Sequence, residues 1–118
     1  DRVSYSMANV SRFDVVVLRY PRNPDVDFVK RVVGLPGDRV ALHGGLLHVN
    51  GAALSDEFAH VADSMATGSW VVPAGKYFVL GDNRPISCDS REFGMVGHEL
   101  LKGKVRMRFW PLERFAMF

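Results

Sequence analysis

Lysine serves as a base near neutral pH only when an apolar setting makes its ammonium form costly. Lys30 stands in such a setting, in the run Phe-Val-Lys-Arg-Val-Val at 28–33. In an extended strand alternate residues share a face, so Lys30 lies with Phe28 and Val32 while Arg31 points the other way. If the first face is interior, the amine of Lys30 is a usable general base. If it faces solvent, Arg31 is the constrained residue. A second concentration of reactive groups fills 81–91, Gly-Asp-Asn-Arg-Pro-Ile-Ser-Cys-Asp-Ser-Arg, with two carboxylates, two guanidiniums and two hydroxyls. Asp82 and Asp89 can pair bidentately with arginine, Arg84 and Arg91 among them, and so stiffen the loop, leaving Ser87 or Ser90 to orient something else. Taken alone, that loop fits a structural scaffold better than a reacting site.

The elements that must position these groups are short β-type runs punctuated by Gly and Pro, which predicts a mostly antiparallel β protein. The first strand covers 15–19 and ends where Pro21 and Pro24 remove backbone donors. The next covers 28–33. Leu35-Pro36-Gly37-Asp38 has Pro and Gly at the central positions of a type II turn. Strands at 39–43 and 46–50 flank Gly44-Gly45 as a two-residue hairpin, and Asn50-Gly51 offers a second tight turn. From 52 to 69 the pattern blurs into a surface loop with room for one short strand, and function is not expected to originate there. Pro73-Ala74-Gly75 turns the chain into a strand at 76–80, which feeds the loop at 81–84. A further loop spans 87–94, a helical turn 99–101, and a closing strand 104–110. No internal repeat is visible, and 118 residues make a single domain.

Composition narrows the function classes. Apolar residues at 47% and charged residues at 24% match a folded globular chain and exclude disorder. The longest apolar run is about the size of Val15 to Leu18, far below the roughly 18 residues of a membrane helix, and no signal-peptide pattern is present. Targeting information is therefore expected to be absent or to lie upstream of residue 1, and the opening at Asp1 without Met suggests a fragment. A net charge of +2 is too weak a bias to argue for nucleic acid. The single cysteine, Cys88, excludes an internal disulfide and reads as a lone buried thiol. The four histidines lack metal-ligand spacing, so no metal and no cofactor is expected. There is no Gly-x-x-x-x-Gly-Lys pattern for phosphate.

The combination of these segments is recognisable. Residues 28–38, Phe-Val-Lys-Arg-Val-Val-Gly-Leu-Pro-Gly-Asp, resemble the lysine box of type I signal peptidases, the Ser/Lys enzymes that remove signal peptides from exported proteins. Gly81-Asp82-Asn83-Arg84 through Ser87, Asp89-Ser90-Arg91 and Phe93-Gly94 resembles that family's downstream box. The stretch 14–18 with Tyr20-Pro21 resembles the strand before the lysine box, and Trp110-Pro111-Leu112 resembles the family's ending. The resemblance covers nearly the whole chain apart from about 52–69. It implies a largely antiparallel fold of coiled, barrel-like sheets forming a near-minimal catalytic core. It implies Lys30 as the general base for a serine nucleophile and Ser87 as the hydroxyl that holds Lys30 in place. Arg31, Asp82, Arg84, Asp89 and Arg91 would form the scaffold beneath the site. Val17, Phe28 and Val29 would help line shallow apolar pockets for small side chains one and three positions before the cut, an Ala-x-Ala preference. The substrate, the signal peptide of a secretory preprotein, would bind as an added extended strand. The implied location is the cell membrane, with the catalytic domain on its extracytoplasmic face and an upstream anchor.

One part of the pattern is missing. The family's nucleophile sits in a Ser-Met-x-Pro-Thr box, and Asp1-Arg2-Val3 resembles the residues immediately downstream of that box. Ser6-Met7 is a poor substitute, because Ala8-Asn9 replaces the expected continuation and too few residues separate it from Asp14. The 118 residues are therefore expected to be catalytically silent by themselves, and a sheet edge left uncovered upstream is expected to promote self-association. Rival readings are another Ser/Lys processing peptidase and a non-catalytic peptide-binding β module. A basic nucleic-acid-binding barrel is a third, with only Phe109 and Trp110 beside Arg106 and Arg108 in its favour.

Overall fold

The computed structural model describes residues 4–6, 9–54 and 63–106. Two antiparallel sheets carry the architecture. The larger is built from β1 (Ser4–Ser6), β2 (Val15–Arg19), β3 (Asp27–Gly34), β8 (Lys76–Leu80), β9 (Val96–Gly97) and β10 (Leu101–Arg106), in the order β1-β10-β2-β3-β8-β9. The smaller is built from β4 (Arg39–His43), β5 (Leu46–Val49), β6 (Ala52–Ala53) and β7 (Gly68–Val71), in the order β6-β5-β4-β7.

The turns follow from the glycines. Gly44 and Gly45 both take positive φ, 58° and 85°, and Asn50 and Gly51 take 54° and 85°. Both pairs make the primed two-residue turn whose twist matches the strands it joins, so β4, β5 and β6 form a meander. Gly37, at φ 89°, closes the turn after β3, where the Asp38 amide donates to the Leu35 carbonyl at 2.9 Å. The Asp38 carboxylate fixes the same turn by accepting from the Leu35 amide, Arg12 Nη2 and Asn50 Nδ2. Burial by itself would raise this carboxyl group, but those donors hold it below the usual range.

The larger sheet is covered on both faces. On one face Val33, Phe78 and Leu80 pack against Val40, Leu42 and Leu47 of the smaller sheet. On the other, Val16, Leu18, Val32, Val79, Val96 and Leu101 form a second cluster. Each side chain of this kind contributes about 1.5–3 kcal/mol when fully buried. The sheets approach closely at Gly34, where an added Cβ would lie 2.6 Å from Val40 Cγ2 and 2.9 Å from Phe78 Cβ. Gly34→Ala is accordingly expected to cost about 1–3 kcal/mol in urea unfolding, as overpacked cores do. An unchanged midpoint would mean that the two layers can part without cost.

Several expectations need correction in detail. The loop expected at 87–94 contains a one-turn helix, α1 (Ser90–Phe93), capped by the Asp89 side chain, which accepts from the Arg91 amide. The helical turn expected at 99–101 is a 3₁₀ turn at His98–Leu100. The closing strand starts at Leu101, earlier than expected, and its expected continuation at 107–110 lies outside the described residues, as do Trp110, Pro111 and Leu112. Residues 55–62 of the blurred region also lie outside them, while its ends belong to β6 and β7.

Candidate active site

β3 is the strand that matters, because it runs through the middle of the larger sheet and carries both Lys30 and Arg31. The sequence offered burial of one or the other. Both are buried, with 4% and 5% of their surface exposed, because both faces of the sheet are covered. Each basic residue therefore needs its own solution.

Arg31 is neutralised. Its Nε and Nη2 donate to the two carboxylate oxygens of Asp82 at 3.0 and 2.8 Å, and Nη1 donates to the Phe13 carbonyl at 2.9 Å. The fork geometry of guanidinium on carboxylate suits a buried pair, since both partners are satisfied together. Phe13 has φ 74°, a strained value for a non-glycine residue, and the Arg31 bond to its carbonyl and its own amide bond to the Val32 carbonyl hold it there.

Among the described residues Lys30 has no carboxylate in salt-bridge contact. Its Nζ donates to Ser87 Oγ at 2.7 Å and sits 5.1 Å from the centre of the Phe28 ring. Burial pushes its pKa down from the ordinary lysine range, and the Arg91 cation adds to that. Asp89, the Cys88 sulfur and Asp82 oppose it without prevailing. The result is a dry amine whose neutral form is more populated than that of an exposed lysine, held at one hydroxyl.

Ser87 is presented by a loop built on ion pairs. Asp89 is fully buried and serves four donors: the amides of Gly81 and Arg91, and Arg91 Nε and Nη2. Arg91 Nη2 also reaches the Arg84 carbonyl at 2.7 Å, and Arg84 Nε donates to the Gly81 carbonyl at 2.7 Å. The bond to Asp89 raises the Arg91 pKa still further, so this cation is permanent. The Ser87 amide donates to the Asn83 carbonyl, and Ser90 Oγ accepts from the Val79 amide of β8. The loop is thereby fastened both to itself and to the sheet. Asp63, in the region from which no function was expected, lies 3.9 Å from Arg91.

The structure thus brings Lys30 and Ser87 together over Arg31, Asp82, Arg84, Asp89 and Arg91. Phe28 shares the face of Lys30. Val17 and Val29 are cross-strand partners, half-buried, and they lie on the other face of the sheet with Arg31. Cys88 is half-buried beside the site, with its sulfur 4.0 Å from the Tyr20 hydroxyl. Sequence reasoning did not single out Tyr20 or Phe93 as site residues. Tyr20 stacks on Phe28 with ring centres 4.5 Å apart, and Phe93 meets Tyr20 edge-on at 5.5 Å. The backbone of Ser6 is in β1, opposite Lys104, on the far edge of the sheet order from β3. Among the described residues no group of three or more metal-ligating side chains occurs, and no helix is long and apolar enough to cross a membrane.

Chemically, a buried amine whose charged form is disfavoured and which is held by a hydroxyl can, in its neutral form, accept a proton from a nucleophile and return it to a leaving group. Comparison with known proteins bears on which reaction this serves. The model of the family "Signal peptidase, peptidase S26" matches residues 1–110. Signal peptidase I of Bacillus caldolyticus is 39% identical over 130 aligned positions, which take in 98% of this chain and 70% of that protein. Signal peptidase IB of Staphylococcus aureus strain COL is 37% identical over 131, covering 96% and 68%. The crystal structure of a signal peptidase I from Enterococcus faecalis V583 superposes with a TM-score of 0.77 at 34% identity, over 86% of this chain and 100% of that one.

Proposed function

The chain belongs to the signal peptidase S26 family of serine endopeptidases, and on that premise we propose that Lys30 is the general base with which it removes signal peptides from exported preproteins. The observation that carries this reading is the 2.7 Å contact between Lys30 Nζ and Ser87 Oγ in a buried setting that lowers the lysine pKa.

The proposed sequence of events uses this amine four times, twice to take a proton and twice to return it. Neutral Lys30 takes the proton of a serine hydroxyl, which attacks the carbonyl carbon at the scissile bond. The resulting ammonium gives the proton to the departing amine, leaving an acyl-enzyme. Lys30 then deprotonates a water that attacks the ester, and the ammonium so formed returns that proton to the serine oxygen as it leaves. The nucleophile belongs to the Ser-Met-x-Pro-Thr box that the family resemblance places upstream. Ser87 is a positioning residue that fixes the amine, and the arginine–aspartate pairs hold Ser87. Phe28, on the face of Lys30, belongs to the apolar surface that admits small residues at an Ala-x-Ala site, with the peptide bound in extended form, and Val17 and Val29 contribute to it from the opposite face of the sheet, where it curves around the site. The same reading places the protein at the cell membrane, its catalytic domain on the extracytoplasmic face. Because β1 is an edge strand of the larger sheet among the described residues, pairing between copies is also expected.

The test is cleavage of a synthetic Ala-x-Ala signal peptide by the protein carrying its native upstream sequence, beside a peptide with Leu at the position before the cut. Cleavage of the first alone is expected, and cleavage of neither by a folded protein would sink the proposal. In the same assay Ser87→Ala is expected to lower kcat about 10- to 100-fold with little change in KM, as when a hydrogen bond to a charged group is lost. A purely structural Ser87 would leave kcat intact in the folded variant.

A further inference from the structure

The Lys30–Ser87 contact joins two pieces of chain that are 57 residues apart, and something must keep them in register. Among the described residues the turn between β2 and β3 touches both. Tyr20 opens this turn and is locked into it: its amide donates to the Val26 carbonyl, and its carbonyl accepts from the Asn23 amide. On the strand side, its ring stacks on Phe28 at 4.5 Å with 20° between planes, and Phe28 is the ring beside Lys30 Nζ. On the loop side, its hydroxyl meets Cys88, the residue after Ser87, and Phe93 of α1 closes edge-on against it. Arg22, in the same turn, adds a bond from Nη2 to the Glu92 carbonyl of α1 at 2.9 Å.

We propose that Tyr20 is a positioning residue for the Lys30–Ser87 pair: its ring backs Phe28 and its hydroxyl meets the Ser87 loop, so that it seals the amine from water on the side of the turn. This rests on the reading of Lys30 as the base. Two opposed effects decide what its removal does. Phe28 offers its π face to the ammonium, which favours the charged form, while the aromatic wall excludes water, which disfavours it. Exclusion of water is the larger, because burial outweighs every attraction acting on this amine. Among the described residues the charged or titratable groups facing Lys30 are Asp89, Cys88 and Asp82 of the loop and Arg91 of α1, whereas its neighbours Val16, Phe28 and Val32 on β2 and β3 carry no charge. None of these four groups is removed with Tyr20.

The experiment is a pH titration of the Lys30 side chain by NMR of the protein labelled with 13C-lysine, with the resonance assigned by its absence in Lys30→Met. Tyr20→Ala is expected to raise the midpoint by about one pH unit, since water then reaches the amine. Tyr20→Phe keeps the ring and is expected to leave the midpoint in place. Tyr20→Leu, which keeps apolar volume without the flat ring, is expected to fall between them. On a Phe28→Ala background, adding Tyr20→Ala is expected to shift nothing more. Folded Tyr20→Ala and Tyr20→Leu proteins with an unmoved or lowered midpoint would overturn the proposal. The wild-type midpoint tests the underlying reading separately, because a base that titrates as an ordinary lysine removes the premise whatever Tyr20 does.

Discussion

Replacing Lys30 by Met is expected to abolish signal-peptide cleavage, by about 10²–10⁴-fold from loss of the general base, without weakening the fold. The two halves of that expectation have one cause. Lys30 is almost wholly buried, and its charge is costly there, so the fold carries an electrostatically unfavourable group at this position. Met has similar length and no charge, and among the described residues the site loses one hydrogen bond, that to Ser87. Urea unfolding near neutral pH should therefore give a variant at least as stable as the wild type. The pH dependence has its origin in the same shift. Because the native pKa lies below the unfolded one, the unfolded state binds more protons between the two, and wild-type stability rises with pH across that window. Lys30→Met should lack this rise. A variant that cleaves at the wild-type rate, or that loses several kcal/mol of stability, would show that Lys30 is a structural residue.

Asp89→Ala is expected to act in the opposite sense, costing about 3–5 kcal/mol of stability and cleavage along with it. The carboxylate serves four donors, and its removal strands the Gly81 amide and the permanent Arg91 cation in a mostly buried place. It also uncaps α1 and releases the segment that presents Ser87. Asp89→Asn should be intermediate, because a neutral amide keeps the shape but offers a single acceptor oxygen to the same donors. Thermal and urea unfolding measure both variants. A cost below about 1 kcal/mol for Asp89→Ala would mean that the loop holds its form through Arg84 and the backbone alone.

These contrasting expectations show what the sequence carried and what it did not. The strands at Val15–Arg19, Arg39–His43 and Lys76–Leu80 fall where the residue pattern puts them, because each is a short apolar run closed by Gly, Pro or a charge. The hairpin turns were legible for a local reason as well, since Gly44-Gly45 and Asn50-Gly51 tolerate positive φ. Lys30 could be placed on one face of a strand by alternation alone. Alternation could not say that the opposite face is covered too, and so it made Lys30 and Arg31 alternatives when both are buried. The helix α1 escaped because four residues have no period, and because Asp89 looked like a partner for arginine when it is also a cap. The aromatic group of Tyr20, Phe28 and Phe93 was hidden by distance along the chain, as was the insertion of β10 between β1 and β2. The family resemblance supplied the pairing of Lys30 with Ser87, which no local pattern could have given.

The central claim is that Lys30 is a base because it is dry, and its titration tests this most directly. In the folded protein labelled with 13C-lysine, the Lys30 midpoint is predicted to lie well below the ordinary lysine range, because burial disfavours the charged amine. A Lys30 midpoint in the ordinary lysine range would contradict it, since an ordinary ammonium hydrogen-bonded to Ser87 would be a structural cation with no proton vacancy to offer.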